Sequence, residues 1–230
     1  MLLSVLTSDQ PFALKIAYLL ILMFCVLMAL SIHEMSHGLV AHWMGDDTAK
    51  YMGRLTLNPL HHLDPIGALC LLLFNFGWAK PVPVNPDRFG KNGKAGMVLT
   101  ALGGPISNLL LAFIAEIGVL YFGNLSFASA SEAQFSYKLV YVLYVLCSYM
   151  VTINLGLGIF NLIPIPPLDG SKVLTAVLPT SLYFRYMEFE RYGFIVVLLL
   201  MKPISYLMNF IIGNIVGFYD MIISLLPFIH

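Results

Sequence analysis

Charged residues are scarce in this 230-residue chain: they make up 10% of it, divided evenly into 12 basic and 12 acidic side chains. So sparse and balanced a charge excludes the basic footprint of a nucleic-acid binder and any bulk attraction to an anionic surface. Cysteine is rare too. Cys25, Cys70 and Cys147 sit in apolar segments without C-x-x-C spacing, which excludes a zinc knuckle or a dithiol redox motif and leaves them as small hydrophobes. There is no internal repeat and no low-complexity tract, and no polar stretch reaches the ~50 residues of a small soluble domain. Hydrocarbon is what the chain has in excess: 59% of its residues are hydrophobic, far above an ordinary soluble domain. The expectation is an all-α polytopic membrane protein, one domain over residues 1–230, with the lipid bilayer as its surroundings. Nothing in the sequence speaks to oligomeric state.

A helix crosses the hydrocarbon core with about 20 apolar residues. The stretch from Pro11 to Met44 exceeds that and ends at Gly45-Asp46-Asp47. It lacks the basic n-region of a signal peptide and is too long for an h-region, so it reads as a retained span. Asp64-Pro65 supplies an N-cap and N1 pair for a short apolar helix to about Phe76, too short to cross comfortably and therefore expected to be re-entrant. Residues 77–94 carry prolines that exclude regular helix and favour extended chain, so a small extended or β element is expected there, with Lys80–Asn85 as an edge. Further spans are expected from about Ala95 to Phe122 and from about Lys138 to Phe160, separated by a polar loop holding Glu132. Apolar sequence resumes over residues 193–227 but is interrupted by Lys202-Pro203, so the bundle has four to six spans. Lys and Arg concentrate in residues 46–94 and 171–192 and are missing from 123–137, which places both basic segments, and the small extended element, at the cytoplasmic face.

Against this background "HEMSH", residues 33–37, is out of place: a carboxylate and two imidazoles at the end of an apolar span. An ionised side chain at the bilayer centre costs roughly 2.5–3.5 kcal/mol on insertion scales, so Glu34 is a functional candidate by default. Residues four apart share a helix face, and H-E-x-x-H therefore presents His33 and His37 to one ion with Glu34 beside them, a geometry that suits zinc. Catalytic zinc usually takes a third protein ligand and leaves a fourth position open. Nearby candidates for it are His42, Asp46, Asp47, His61, His62 and Asp64. The favoured one is Asp169, which follows the helix-breaking "IPIPP" and precedes Gly170, expected to permit a tight turn.

These residues resemble the site-2 protease family of intramembrane zinc metalloproteases. That family pairs H-E-x-x-H with an Asn-x-x-Pro-x-x-x-x-Asp-Gly motif in a later helix, and Asn161 to Gly170, "NLIPIPPLDG", matches it without a break. A Gly-Pro-x-x-Asn element stands at Gly104 to Asn108, and "NPLHHLDPIGAL" and "AKPVPVNP" resemble the compact bacterial branch. The resemblance spans roughly residues 15–225. No PDZ or CBS module is expected here, so neither is substrate filtering or nucleotide sensing by one. The resemblance implies one Zn2+ held by His33, His37 and Asp169, Glu34 as acid/base, and a prokaryotic plasma-membrane location with the site toward the cytoplasm.

Zinc chemistry supplies an activated water with Glu34 to take its proton, and the resemblance implies hydrolysis of peptide bonds in or near transmembrane segments of membrane-protein or peptide substrates, in regulated intramembrane proteolysis or clearance of membrane remnants. The oxyanion needs a further donor, for which Asn161 and Asn108 are candidates, with an interhelical structural bond as the competing role of each. A helical substrate must be unwound first, and the Lys80–Asn85 edge is expected to receive it by strand addition. A metal-ion transporter, or a non-proteolytic metal-binding protein, is the alternative. Glu116, within the second long span, is expected to snorkel or pair near the outer end, and His61 and His62 to support loops.

Overall fold

The computed structural model describes residues 9–74, 79–128 and 135–226. Glu132, residues 75–78 of the expected short helix and extended segment, and the extreme termini lie outside them. Among the described residues the chain is helical and contains no β-strand.

Four helices are long and apolar enough to cross a membrane: α1, Phe12–Trp43; α4, Gly93–Ala128; α5, Phe135–Asn161; and α9, Met201–Ile223. At 1.5 Å per residue the 32 residues of α1 reach about 48 Å, beyond the roughly 30 Å hydrocarbon layer, so one end can leave the lipid. Between them lie α2, Thr48–Tyr51; α3, Pro65–Phe74; α6, Asp169–Val173; α7, Thr180–Met187; and α8, Glu190–Leu199. The ambiguity over residues 193–227 is resolved by a break at Leu200, so that α8 and α9 are separate helices and only α9 has spanning length.

Inside a bilayer helices associate by close packing and polar contacts, because lipid is as apolar as leucine. Small side chains accordingly line the seams. Cys25, Val26, Ala29 and Leu30 of α1 meet Ile153 of α5, while Ala112 and Ala115 of α4 meet Val151, Leu155 and Ile159, with Ile211, Ile212 and Ile215 of α9 laid on top. Large apolar side chains such as Phe24, Leu110, Ile114, Tyr206 and Phe210 point outward, where lipid would meet them. Glu116 is buried against α9, on the side of Asp220, rather than extended toward the outer end.

Asp64 caps α3 as expected, its Oδ1 accepting from Ile66 N–H at 3.0 Å and Gly67 N–H at 2.9 Å. Among the described residues the expected extended element forms no β-strand. Residues 79–85 form no strand ladder; Pro81 and Pro83 have no N–H to give, and side chains take up neighbouring backbone groups instead.

Candidate metal centre

The "HEMSH" stretch falls in the last turns of α1, where i and i+4 stack and both imidazoles face α4. Asp169 arrives from a later segment that also packs on α4. After α5 ends at Asn161, the residues Ile163–Leu168 turn through short bonds, Ile165 N–H to Ile163 O at 2.8 Å and Leu168 N–H to Ile165 O at 2.9 Å, and include a cis bond between Pro166 and Pro167. Tyr186 Oη–H bonds to Pro164 O and ties this loop to α7. Asp169 then opens α6, buried, with Ser171 N–H donating to Leu168 O at 3.0 Å. Gly170 serves a different end from the turn expected of it. Its φ is not positive; a Cβ there would lie 2.3 Å from Leu162 O, so glycine is required for α6 to close against the end of α5.

The result is a triangle of ligand atoms. His33 Nε2 and His37 Nε2 are 3.0 Å apart, and Asp169 Oδ2 is 3.2 Å from the first and 3.1 Å from the second. What lies behind each ring decides what these atoms are. His33 Nδ1–H donates to Asn108 Oδ1 at 2.6 Å, and His37 Nδ1–H donates to Thr100 O at 2.7 Å. With Nδ1 of each ring given to a carbonyl oxygen, Nε2 is the atom each imidazole has left to offer a metal. The two Nε2 atoms and a carboxylate oxygen converge in a buried space, a donor set that fits a cation.

The edges, 3.0 to 3.2 Å, lie within a few tenths of an ångström of the about 3.4 Å separating ligands around a tetrahedral zinc with ~2.1 Å bonds. Gly104 of α4 faces the triangle, and a Cβ there would stand 2.4 Å from His37 Nε2 and 2.7 Å from His33 Nε2. The space for an ion therefore exists because residue 104 has no side chain. Among the described residues this is the sole group of three or more His, Cys, Asp or Glu side chains close enough to share a metal.

The other candidates for third ligand are engaged elsewhere. His42 Nδ1 pairs with Asp47 Oδ1 at 2.5 Å. Asp46 accepts from Thr48 Oγ1–H at 2.5 Å and Asn85 N–H at 2.6 Å; burial works to raise its pKa, but these hydrogen bonds outweigh it and hold the carboxyl below its usual value. His62 is buried and donates through Nε2–H to Thr56 O at 2.8 Å, with burial pushing its pKa down toward the neutral ring. Asp64 is the α3 cap described above, and none of the described contacts brings His61 to the triangle.

Asn108 is fully buried and both ends of its amide are occupied: Nδ2 donates to Asn154 Oδ1 at 2.7 Å and to Ala29 O at 3.3 Å, while Oδ1 holds His33. Both N–H groups are thus engaged, so the oxyanion role considered for Asn108 has no donor here. Its contacts are those of an interhelical bond that orients the ring. Asn161 Nδ2 donates to Leu157 O of its own helix at 3.0 Å.

Glu34 stands beside the triangle, nine-tenths buried, its Oε2 accepting Val82 N–H at 2.9 Å. It lines a cavity of about 290 Å³ together with His37, Val82, Val84, Thr100, Asp169 and Lys172. Lys172 Nζ approaches the other oxygen of Asp169, Oδ1, at 3.3 Å. Sequence reasoning missed Thr100, Asn154, Gly104 and Lys172 as parts of the site. Of these, Gly104 alone carried a signal, as the first residue of the Gly-Pro-x-x-Asn element.

Comparison with known proteins agrees with this geometry. The model of Peptidase family M50 matches residues 136–202. The chain is 41% identical to "Putative zinc metalloprotease YwhC" of Bacillus subtilis (strain 168), over 78% of each chain. It is 29% identical to "Putative zinc metalloprotease Rip2" of Mycolicibacterium smegmatis, over 77% of this chain and 65% of that one. It is 30% identical to "Putative zinc metalloprotease MJ0611" of Methanocaldococcus jannaschii, over 68% and 74% respectively. No solved structure matches. With 41% identity over most of both chains and a His-His-Asp cluster that could hold a metal ion, the chain belongs to peptidase family M50.

Proposed function

We propose that residues 1–230 form one membrane-embedded zinc endopeptidase domain in which His33, His37 and Asp169 hold the ion and Glu34 is the acid/base. The observation that carries this reading is the convergence of three acceptors on a space kept open by Gly104, with a fourth ionisable group, Glu34, at its edge. Zinc bound there would polarise the scissile carbonyl and make water a nucleophile near neutral pH. Glu34 accepts the proton that the attacking water releases and returns it to the departing amide nitrogen, which balances the reaction within one side chain. Asn108 and the Thr100 carbonyl keep both Nδ1 atoms protonated, so the two Nε2 lone pairs stay directed at the metal. Asn161 is the candidate oxyanion donor, since its amide has a second N–H beyond the one bonded to Leu157.

The substrate class follows from the surroundings. The cavity beside Glu34 lies between α1, α4, α6 and residues 81–86 of a chain whose long helices are apolar, which supports a membrane protein or a membrane-bound peptide remnant as the segment cut. The Lys and Arg of residues 46–94 and 171–192 support a site near the cytoplasmic face of a prokaryotic plasma membrane. The ten residues of α3, about 15 Å long, support a re-entrant rather than a crossing helix. A helical substrate opens before its carbonyl can be reached. Residues 80–84 supply a partner for the opened chain: among the described residues, Val84 N–H and Val82 O make no hydrogen bond. Replacing this stretch by Gly-Ser is expected to lower cleavage at least about tenfold through lost alignment; unchanged turnover would remove the strand-addition step.

The direct test incubates the purified chain with transmembrane peptides and reads products by mass spectrometry. Cleavage within the apolar segment, abolished by a zinc chelator and restored by added Zn2+, is the expected result. Cleavage that persists after the metal has been stripped would overturn the metallopeptidase reading.

A further inference from the structure

Arg54 is a buried cation to which hydrolysis assigns no role. Helix α2 ends in a turn at Gly53, whose φ of 66° lets the chain double back, and Arg54 N–H closes the turn on Ala49 O at 2.9 Å. The side chain then runs inward and is 7% exposed. Among the described residues no carboxylate comes within ion-pair distance of it, and its Nε has no partner. Its Nη2 donates to two carbonyls, Lys80 O at 2.7 Å and Pro81 O at 3.4 Å. A guanidinium removed from water without a counter-charge is expensive to keep. The two carbonyls it grips immediately precede Val82, whose N–H is bonded to Glu34.

We propose that Arg54 is a positioning residue for the hydrolysis: by fixing Lys80 and Pro81 it holds the Val82 amide on Glu34 and so keeps that carboxylate at its working place. This rests on the reading of Glu34 as the acid/base. Residues 79–85 have no ladder to hold them, so their position is set by a few side-chain and loop anchors. Lys80 N–H is tied to His62 O at 2.9 Å and Asn85 N–H to Asp46, at the two ends. Between those ends, among the described residues, the side chains that reach the backbone are Arg54 and Glu34 itself. A Glu34 free to swing would lose alignment with the attacking water, and misplacement by about 1 Å can reduce a rate about 100-fold.

The test compares variants of the purified full chain on a peptide that the wild type cuts. Arg54→Gln is expected to lower kcat by about tenfold or more, with KM and zinc content close to wild type. Arg54→Lys should recover part of the loss, because an ammonium can still reach one carbonyl. Val82→Pro deletes the N–H and exchanges one buried apolar side chain for another, in a segment whose neighbours Pro81 and Pro83 already demand extended chain, and should show the same kcat loss. If Arg54 acts through that amide, the double variant is no slower than Val82→Pro alone. Amide exchange in residues 79–85 should quicken in Arg54→Gln while exchange in α4 is unchanged. A normal kcat in Arg54→Gln, losses that multiply in the double variant, or unchanged exchange would each overturn the proposal. A wild-type chain that cuts no peptide counts against the reading of Glu34 instead, and exchange still decides whether Arg54 holds the segment.

Discussion

Glu34→Gln is expected to remove cleavage by about 10² to 10⁴-fold, the range of a positioned acid/base, while zinc content stays near that of the wild type. The substitution is close to isosteric, and the glutamine carbonyl can still accept Val82 N–H, so residues 79–85 keep their place. What disappears is the ability to take and return a proton. The triangle of His33, His37 and Asp169 does not include Glu34, which is why metal binding survives. Turnover and zinc are measured on the same preparation. Turnover within about tenfold of wild type would place the acid/base elsewhere than Glu34.

Gly104→Ala should be as damaging by a different route, through loss of the ion itself. The added methyl would sit 2.4 Å from His37 Nε2 and 2.7 Å from His33 Nε2 and Cε1, closer than Cβ contacts are found. The rings cannot retreat without breaking what holds them, Asn108 behind His33 and the Thr100 carbonyl behind His37. Moving α4 away would open its seam with α1, where a Cβ on neighbouring Gly103 would already lie 3.0 Å from Ser36 O. Zinc affinity is therefore expected to fall by at least about 100-fold, the upper end of what lost support around a metal site produces. The helical circular dichroism should be retained, since overpacking typically costs about 1–3 kcal/mol. A Gly104→Ala protein that keeps its zinc through dialysis against a weak chelator would show that the ion lies outside the triangle.

Much of the site was legible because its signals are local. His33 and His37 share a face by helical period alone, and Asp169 stood out as a carboxylate released from helix by Pro164, Pro166 and Pro167. The supporting atoms carried no such signal. Asn154 is one polar residue in a long apolar helix, and only the crossing of α5 with α4 shows it gripping Asn108. Thr100 contributes its backbone oxygen, so its side-chain identity announces nothing. The extended chain expected near Lys80 forms no strand among the described residues for a related reason: prolines predict extended chain, but which groups meet its backbone is set by the fold, and here Arg54, Glu34 and Asp46 reach it.

By itself the amino-acid sequence determined the membrane, the helices and the two separated motifs, because hydropathy, period and helix breaking act over one to a few turns. Only the tertiary structure decided that His33 and Asp169, 136 residues apart, come within 3.2 Å of each other, and that Gly104 puts no side chain between them and α4. Convergence of that kind depends on how closely whole helices approach, a property of packed surfaces that no single segment encodes.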